Sequence, residues 1–322
     1  MVLAMNRHFN LRRLLSLFAL AAFLLQMSQG ADAQRSRKAS ATGQASAKSI
    51  TVKTEPKAVV WLDEVRRGVT DDAGRLTLLK VSAGRHSLRV RARGFREASM
   101  PVAPARRGAI EVKLVRTTDE AELLFQQAEE ARETARDEEA RKLSAETYRR
   151  ALRLRQRFAA AHLGLARVLL ELNDYNTALE EINAARAARP VYPEASAVEG
   201  RILRMAADTN AAMESFRRAI REARGFQPEA HTGLALLLED KGRYEEATEE
   251  FRAAILQLSD TEPVLYQLLG AAYEKLQKYK EAVQAYEKYL ELAPEGTLAP
   301  AVRSILDQLR RQAAEQEGAP NP

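Results

Sequence analysis

The sequence contains no cysteine among its 322 residues. Disulfide bonds and a lipid-modified cysteine anchor are therefore excluded. Histidine is scarce as well, with four residues, and no H-E-x-x-H, G-x-S-x-G, Walker or G-x-G-x-x-G motif occurs. Because catalysis needs converging titratable groups, we predict that the protein is not an enzyme, holds no metal ion and uses no cofactor.

The sequence also lacks an apolar run of the roughly 20 residues that a membrane-spanning helix needs. The shorter run Leu14–Leu25 follows three arginines and precedes a group of small residues that ends at Ala33. This order is typical of a secretory signal peptide, so we predict that residues 1–33 are removed after export to the periplasm, the cell envelope or the medium. An uncleaved N-terminal anchor is the alternative, and without it no membrane span is expected.

Charge is unevenly distributed along the chain. Residues 50–116 carry 15 basic and 7 acidic side chains, a net charge of +8, and residues 117–322 carry 28 basic and 36 acidic ones, a net charge of −8. Residues 34–49 are small, polar and basic, which is typical of a flexible leader. This segregation predicts two bodies with different surfaces. Export argues against nucleic acid as a partner and favours an anionic envelope polymer, or the acidic half of the same chain.

Residues 50–116 have the period-two alternation of β-strands. The runs SITVKT, AVVWLD, RLTLLKV, HSLRVRAR and AIEVKLV are separated by turn residues, which predicts a small β-sandwich. The segments TEPKAVVWLDE and SAGRHSLRVRARGF resemble the PEGA domain, and the matching positions are Pro56, Ala58, Asp63, Gly84, Gly94 and Phe95. The resemblance implies an accessory domain of exported, surface-associated proteins, without catalytic residues.

Three arginines alternate with apolar residues in HSLRVRAR. Arg89, Arg91 and Arg93 therefore share one face of a strand, which is the face opposite Leu88 and Val90. The pattern favours the solvated side of an ordinary strand, because long basic side chains there discourage edge pairing. A surface that binds an anion is the alternative, given the net charge of this segment. The same alternation places Trp61 opposite Val60 and Leu62 without indicating whether its face is covered.

From residue 117 the period changes to 3.6 and the pattern recurs every 34 or 35 residues. The clearest copy is PVLYQLLGAAYEKLQKYKEAVQAYEKYLELAP, which resembles the tetratricopeptide repeat (TPR) at Tyr266, Leu269, Gly270, Tyr273, Ala282, Tyr286 and Pro294. In this register the units start at Phe125, Ala159, Pro193, Pro228 and Pro263. We therefore predict a TPR solenoid of five units in residues 119–317, ending in a cap helix, with residues 318–322 as a disordered tail.

Two positions in the second helix of each unit indicate how the helices pack. Small residues recur where the helices cross, and a bulky residue follows one turn later to fill the space between units. The small residues are Ser144, Ala178, Ala212, Ala247 and Ala282, and the bulky ones are Tyr148, Ile182, Phe216, Phe251 and Tyr286. The first unit departs from the pattern, with Arg132 at a position for a small residue, and is interpreted as a polar terminal unit.

The resemblance to TPR proteins implies a groove, lined by the first helix of each unit, that holds a peptide or a partner helix. The predicted partner-binding residues are Arg167, Arg201, Arg204, Thr232, Glu239, Gln267 and Glu274. Arg167 and Arg201 occupy the same position in adjacent units and are predicted to receive an acidic peptide or a C-terminal carboxylate. For each residue taken singly, a plain solvated helix face is favoured, because long charged side chains are normally exposed. His162 and His231 also share one position, where helix packing is favoured over metal binding.

Together these patterns predict an α+β multidomain protein, in which a small all-β sandwich precedes an all-α TPR solenoid. The predicted function is that of an exported, non-catalytic scaffold that binds a protein partner in its groove and is localised by the basic β-domain. The alternative is a binding module for an anionic glycan or peptidoglycan that uses the arginine face. A third hypothesis is that the oppositely charged halves dock on each other.

Overall fold

The computed structural model describes residues 48–63, 65–81, 86–103, 108–258 and 260–318. The predicted signal peptide and most of the predicted leader lie outside the described residues, as do residues 319–322 of the predicted tail. The first strand begins at Lys48, so the last two residues of the predicted leader belong to the β-domain. This difference arises because strand pairing uses the main chain and does not require apolar side chains.

The N-terminal region contains two β-sheets. Its strands are β1 (Lys48–Lys53), β2 (Val59–Leu62), β3 (Val65–Val69), β4 (Arg75–Val81), β5 (His86–Arg91), β6 (Ala98–Val102) and β7 (Ala109–Glu111). One sheet has the order β4-β1-β7 and the other the order β3-β2-β5-β6. Gly94, one of the positions that match the PEGA domain, has φ +81°, whereas Gly84, another of them, lies outside the described residues. The predicted β-region followed by a helical region is confirmed.

Strands β3 and β6 were not predicted from the sequence. Both lie at the edges of the four-stranded sheet, where each pairs with a single neighbour. An edge strand needs fewer apolar side chains and tolerates proline, which explains how Pro101 fits into β6. Their sequences, VRRGV and ASMPV, therefore lack the alternation that identifies the inner strands.

The two central strands, β2 and β5, have distinct faces. Val60 pairs with Val90 and Leu62 with Leu88, and all four side chains are buried. On the opposite face Trp61 pairs with Arg89. This second face, defined by Trp61, Arg89 and Arg91, is called the arginine–tryptophan face below.

The described residues that follow the β-region form helices. The helices are α1 (Glu120–Thr134), α2 (Glu138–Leu154), α3 (Ala159–Glu171), α4 (Tyr175–Ala188), α5 (Pro193–Met205), α6 (Thr209–Glu222), α7 (Pro228–Asp240), α8 (Tyr244–Leu258), α9 (Val264–Lys275), α10 (Tyr279–Leu292) and α11 (Ala299–Gly318). They form five antiparallel pairs followed by the predicted cap helix. Helix α1 begins five residues before Phe125, because Asp119 caps it by accepting hydrogen bonds from two main-chain N–H groups.

The packing positions predicted from the repeat are buried in every unit. Each of the five small residues is fully buried, and the five bulky residues are at most 2 % exposed. Glycines in the first helices make room for these rings. A Cβ on Gly200 would lie 2.6 Å from Cδ1 of Phe216, and Gly233 faces the same ring from the next unit. Among the described residues, no helix is long and apolar enough to cross a membrane.

Candidate functional site: the groove and the β-domain that enters it

The arginine–tryptophan face of the β-domain packs against the first helix of the repeats. Arg91 Nη2 lies 3.0 Å from Glu129 Oε2 of α1, and the side chains are only 8 % and 9 % exposed. The Arg91 guanidinium also lies over the rings of Trp61 and Phe125, 4.9 and 5.2 Å from their centroids. A buried ion pair flanked by two aromatic rings fixes both the position and the orientation of the strand on the helix.

The Glu129 carboxylate is the electrostatic centre of this contact. It accepts a hydrogen bond from the Tyr148 hydroxyl of α2 in addition to the one from Arg91. Burial alone would raise the pKa of Glu129, but three guanidinium groups outweigh burial and hold this pKa at about 2. They belong to Arg91, Arg132 and Arg167. The site thus favours the ionised form of Glu129.

Hydrogen bonds between the side chain of one residue of α1 and the main chain just after β5 reinforce the contact. Gln126 of α1 accepts from the N–H of Gly94 at 2.9 Å and donates to the carbonyl of Phe95 at 2.7 Å. Ion pairs join Arg93 to Glu130 at 3.5 Å and Arg66 to Glu133 at 3.6 Å. The polar residues of the first unit, interpreted above as a polar terminal unit, therefore bind the β-domain.

The three arginines predicted as a solvated or anion-binding face differ in their surroundings. Arg91 is buried, so the prediction of a solvated face is wrong at this position. The guanidinium carbon of Arg89 lies 4.2 Å from the centroid of the Trp61 ring, and its Nη1 lies 3.1 Å from Oε2 of Glu97. Arg93 remains 81 % exposed. Anion binding stays a prediction for all three, and Arg93 is the most accessible of them.

Arg167, a predicted partner-binding residue, lies beside this contact. It lines a polar cavity of about 240 Å³ together with Trp61 and Arg91 of the β-domain and Glu129 and Arg132 of α1. Arg201, the residue predicted to act with it, is absent from this lining. The predicted pair is thus divided between two cavities, and residues of the β-domain line the one that holds Arg167.

A second cavity, of about 470 Å³, lies farther along the groove and is called the groove cavity below. Three predicted residues line it: Arg201 and Arg204 of α5 and Thr232 of α7. Arg201 pairs with Glu229 at 3.0 Å, and the Thr232 hydroxyl donates to the carbonyl of Pro228 at 2.9 Å. Most of the remaining lining is apolar and is provided by Val65, Pro228, Gly233, Leu236, Leu258, Val264 and Leu265.

The other predicted groove residues lie near the C-terminal units. Glu274 accepts a hydrogen bond from the Tyr286 hydroxyl, which satisfies one of its oxygens. Burial raises the pKa of Glu239, and the neighbouring Asp240 raises it further. Gln267 is half-buried on α9. None of these three residues lines the groove cavity.

The two repeat histidines bind glutamates. His162 Nδ1 lies 2.6 Å from Glu181 and its Nε2 lies 2.8 Å from the carbonyl of Gln156. His231 repeats this arrangement with Glu250 and Gly225, at 2.5 and 3.0 Å. Burial lowers the pKa of each imidazole, but the hydrogen bonds to acceptors outweigh burial and raise it above its usual value. No cluster of metal-ligating residues occurs in the described part of the chain.

Comparisons with known proteins identify the repeats. Sequence profiles described as "Tetratricopeptide repeat" match residues 134–193, 198–263 and 263–295. The helical region is built of tetratricopeptide repeats. Proteins with TPRs mediate protein–protein interaction, and no enzyme family is indicated. A comparison with curated sequences finds no significant match.

Several solved structures are similar to the repeat region. The Pseudomonas aeruginosa protein pilF is 18 % identical and aligns over 61 % of this chain and 87 % of its own, with a TM-score of 0.52. TTC0263, a thermophilic TPR protein of Thermus thermophilus, is 19 % identical. Its alignment covers 59 % of this chain and 99 % of its own, with a TM-score of 0.46. YrrB, described as a TPR protein with an unusual peptide-binding site, is 19 % identical. Its alignment covers 58 % of this chain and 94 % of its own, with a TM-score of 0.43. At these identities the likeness concerns the fold.

Sequence reasoning missed the contribution of the β-domain to the groove cavity. Val65 of β3 lines it, but β3 has no recognisable strand pattern and Val65 is a single apolar residue before two arginines. The pairing of Arg91 with Glu129 was also missed, although the opposite charges of the two halves pointed to docking.

Proposed function

We propose that the protein is an exported, non-catalytic scaffold that holds a protein or peptide partner in the groove cavity, while the β-domain localises it in the cell envelope. The observation that carries this proposal is the convergence of Arg201, Arg204 and Thr232 on one open cavity. The β-domain lies against α1 and lines the polar cavity with Arg167. A partner is therefore expected on α5, α7 and α9 rather than along the whole groove.

The groove proposal is tested by filling the cavity. Thr232→Trp places a bulky side chain among the lining residues, whereas Arg221→Trp adds the same ring at an exposed position of α6, outside the cavity. Proteins captured from an envelope extract by the tagged full chain are quantified by mass spectrometry. Partners lost with Thr232→Trp and retained with Arg221→Trp support the proposal. Equal capture by both variants contradicts it.

Export is proposed from the order of charged, apolar and small residues at the N-terminus. The test is N-terminal sequencing of the protein recovered from fractionated cells. We expect a mature chain that begins at Gln34 in the periplasmic or envelope fraction. A chain that retains residues 1–33 in the cytosolic fraction would contradict export.

A further inference from the structure

We propose that the groove cavity is a composite site, built by both domains, for a partner segment in which a large apolar side chain stands next to a carboxylate. This inference rests on the proposed function and specifies the chemistry of the partner. It assigns a binding role to Arg204 and to Val65 of the β-domain.

The apolar part of the lining defines the first half of the ligand. Leu236 of α7 and Leu258 of α8 are half-buried, and Leu265 of α9 is buried. These side chains come from three successive helices and leave about 470 Å³ between them and β3. Because apolar surface in a concave site gains from being removed from water, an apolar side chain of a partner fits here better than a charged one.

Arg204 defines the second half of the ligand. It is half-buried at the end of α5, and within the described residues no carboxylate lies within 4 Å of its guanidinium. Its Nε is buried and has no hydrogen-bond partner in the part of the chain that the structure describes. A buried donor without a hydrogen-bond partner costs free energy. Charge-assisted hydrogen bonds from the half-buried guanidinium to a carboxylate of a partner would offset that cost.

The remaining charges of the lining do not supply that carboxylate. Glu229 is already paired with Arg201, and Glu262 is exposed at the rim. Arg204 is therefore the cation of this lining that is available to a ligand.

Val65 makes the site depend on domain docking. It is the one β-domain residue among the described lining residues, so the β-domain contributes part of the wall of the cavity. Its position is set by the sheet whose strand β5 is fixed on α1 through Arg91 and Glu129. A solenoid without the docked β-domain would lack this wall.

The test begins with a random heptapeptide phage library selected on the immobilised full chain. The expected result is enrichment of peptides with Asp or Glu adjacent to Leu, Ile, Met, Phe or Trp. The most enriched peptide is then labelled with fluorescein, and its Kd is measured by fluorescence anisotropy for the wild-type chain and its variants.

Arg204→Gln should raise Kd about ten-fold or more, and Val65→Ser should raise it several-fold. The matched controls Arg221→Gln and Val69→Ser, both at exposed positions outside the lining, should leave Kd unchanged.

A double-mutant cycle separates a direct contact from a structural effect. The peptide with its acidic residue changed to the amide should bind the wild-type chain about ten-fold more weakly, but should bind the Arg204→Gln chain with no further loss. Additive losses would overturn the assignment of Arg204, and an unchanged Kd for Val65→Ser would overturn the composite wall. Enriched peptides without an acidic residue would overturn the inference and leave the proposed function intact. If no peptide is enriched the inference is also overturned, whereas the cavity-filling experiment decides the proposed function independently.

Discussion

Arg91 of β5 and Glu129 of α1 form an ion pair across the contact between the β-domain and the repeats, with 3.0 Å between Nη2 and Oε2. The two residues are 38 positions apart in the sequence. Their side chains are buried, and Tyr148 and two aromatic rings complete their surroundings. The pair therefore holds the first repeat and the β-domain as one packed structure.

Arg91→Met should destabilise the protein more than Arg93→Met. Removal of Arg91 leaves the Glu129 charge buried without its main partner, at a cost of about 3 kcal/mol in the free energy of unfolding. Arg93 is exposed, and its loss should change that free energy by less than about 1 kcal/mol. Urea unfolding at pH 7, followed by circular dichroism, measures both. Equal midpoints for the two variants would show that the Arg91 pair does not stabilise the contact.

The stability contributed by Glu129 should depend on pH in the acidic range. Its folded pKa of about 2 lies below the unfolded value of about 4.3. The contribution is therefore present above the unfolded value and is lost as the pH falls towards the folded one. The difference between the unfolding midpoints of the wild-type chain and Glu129→Gln should therefore be smaller at pH 3 than at pH 6. A difference that stays constant would contradict this.

Stability from the repeat histidines should change with pH in the opposite direction. The folded pKa values of His162 and His231 are raised above the unfolded value of about 6.5. Their contribution is then fully present below that value and is lost as the pH rises through the folded pKa. The double variant His162→Gln/His231→Gln should lose less thermal stability than the wild type between pH 5.5 and pH 8.5. An identical loss in both proteins would argue against charged His–Glu pairs.

Gly200→Ala should destabilise the repeats even though alanine favours a helix. An added Cβ would approach the buried ring of Phe216 to 2.6 Å. Such overpacking costs about 1–3 kcal/mol, which offsets the gain of about 1 kcal/mol in helix propensity. Gly318→Ala is the control, because a Cβ there meets nothing within 4 Å. Thermal unfolding should show a lower Tm for Gly200→Ala only, and a Tm equal to or above that of the wild type would refute the steric role.

The repeats were predictable because their packing recurs. Ala212 and Phe216 occupy positions that every unit fills with a small and a bulky residue, and both are fully buried. The docking of the β-domain has no such period. Alternation placed Arg89 and Arg91 on one face of their strand, and Trp61 opposite Val60 and Leu62 on another strand. It contained no information on what covers these side chains, since a residue far along the chain provides the partner of Arg91. The groove cavity was predicted in part: Arg201, Arg204 and Thr232 follow from the repeat register, whereas Val65 comes from an edge strand without a pattern.

Photo-crosslinking in living cells tests most directly whether the β-domain and the partner occupy different parts of the groove. A diazirine lysine is placed at Arg167 in one protein, at Thr232 in a second and at the exposed Arg221 in a third, and the products are mapped by mass spectrometry. We expect links from position 167 to β2 or β5 of the same chain, links from position 232 to another protein, and neither product from position 221. Capture of another protein from position 167, with no link to the β-domain, would contradict it.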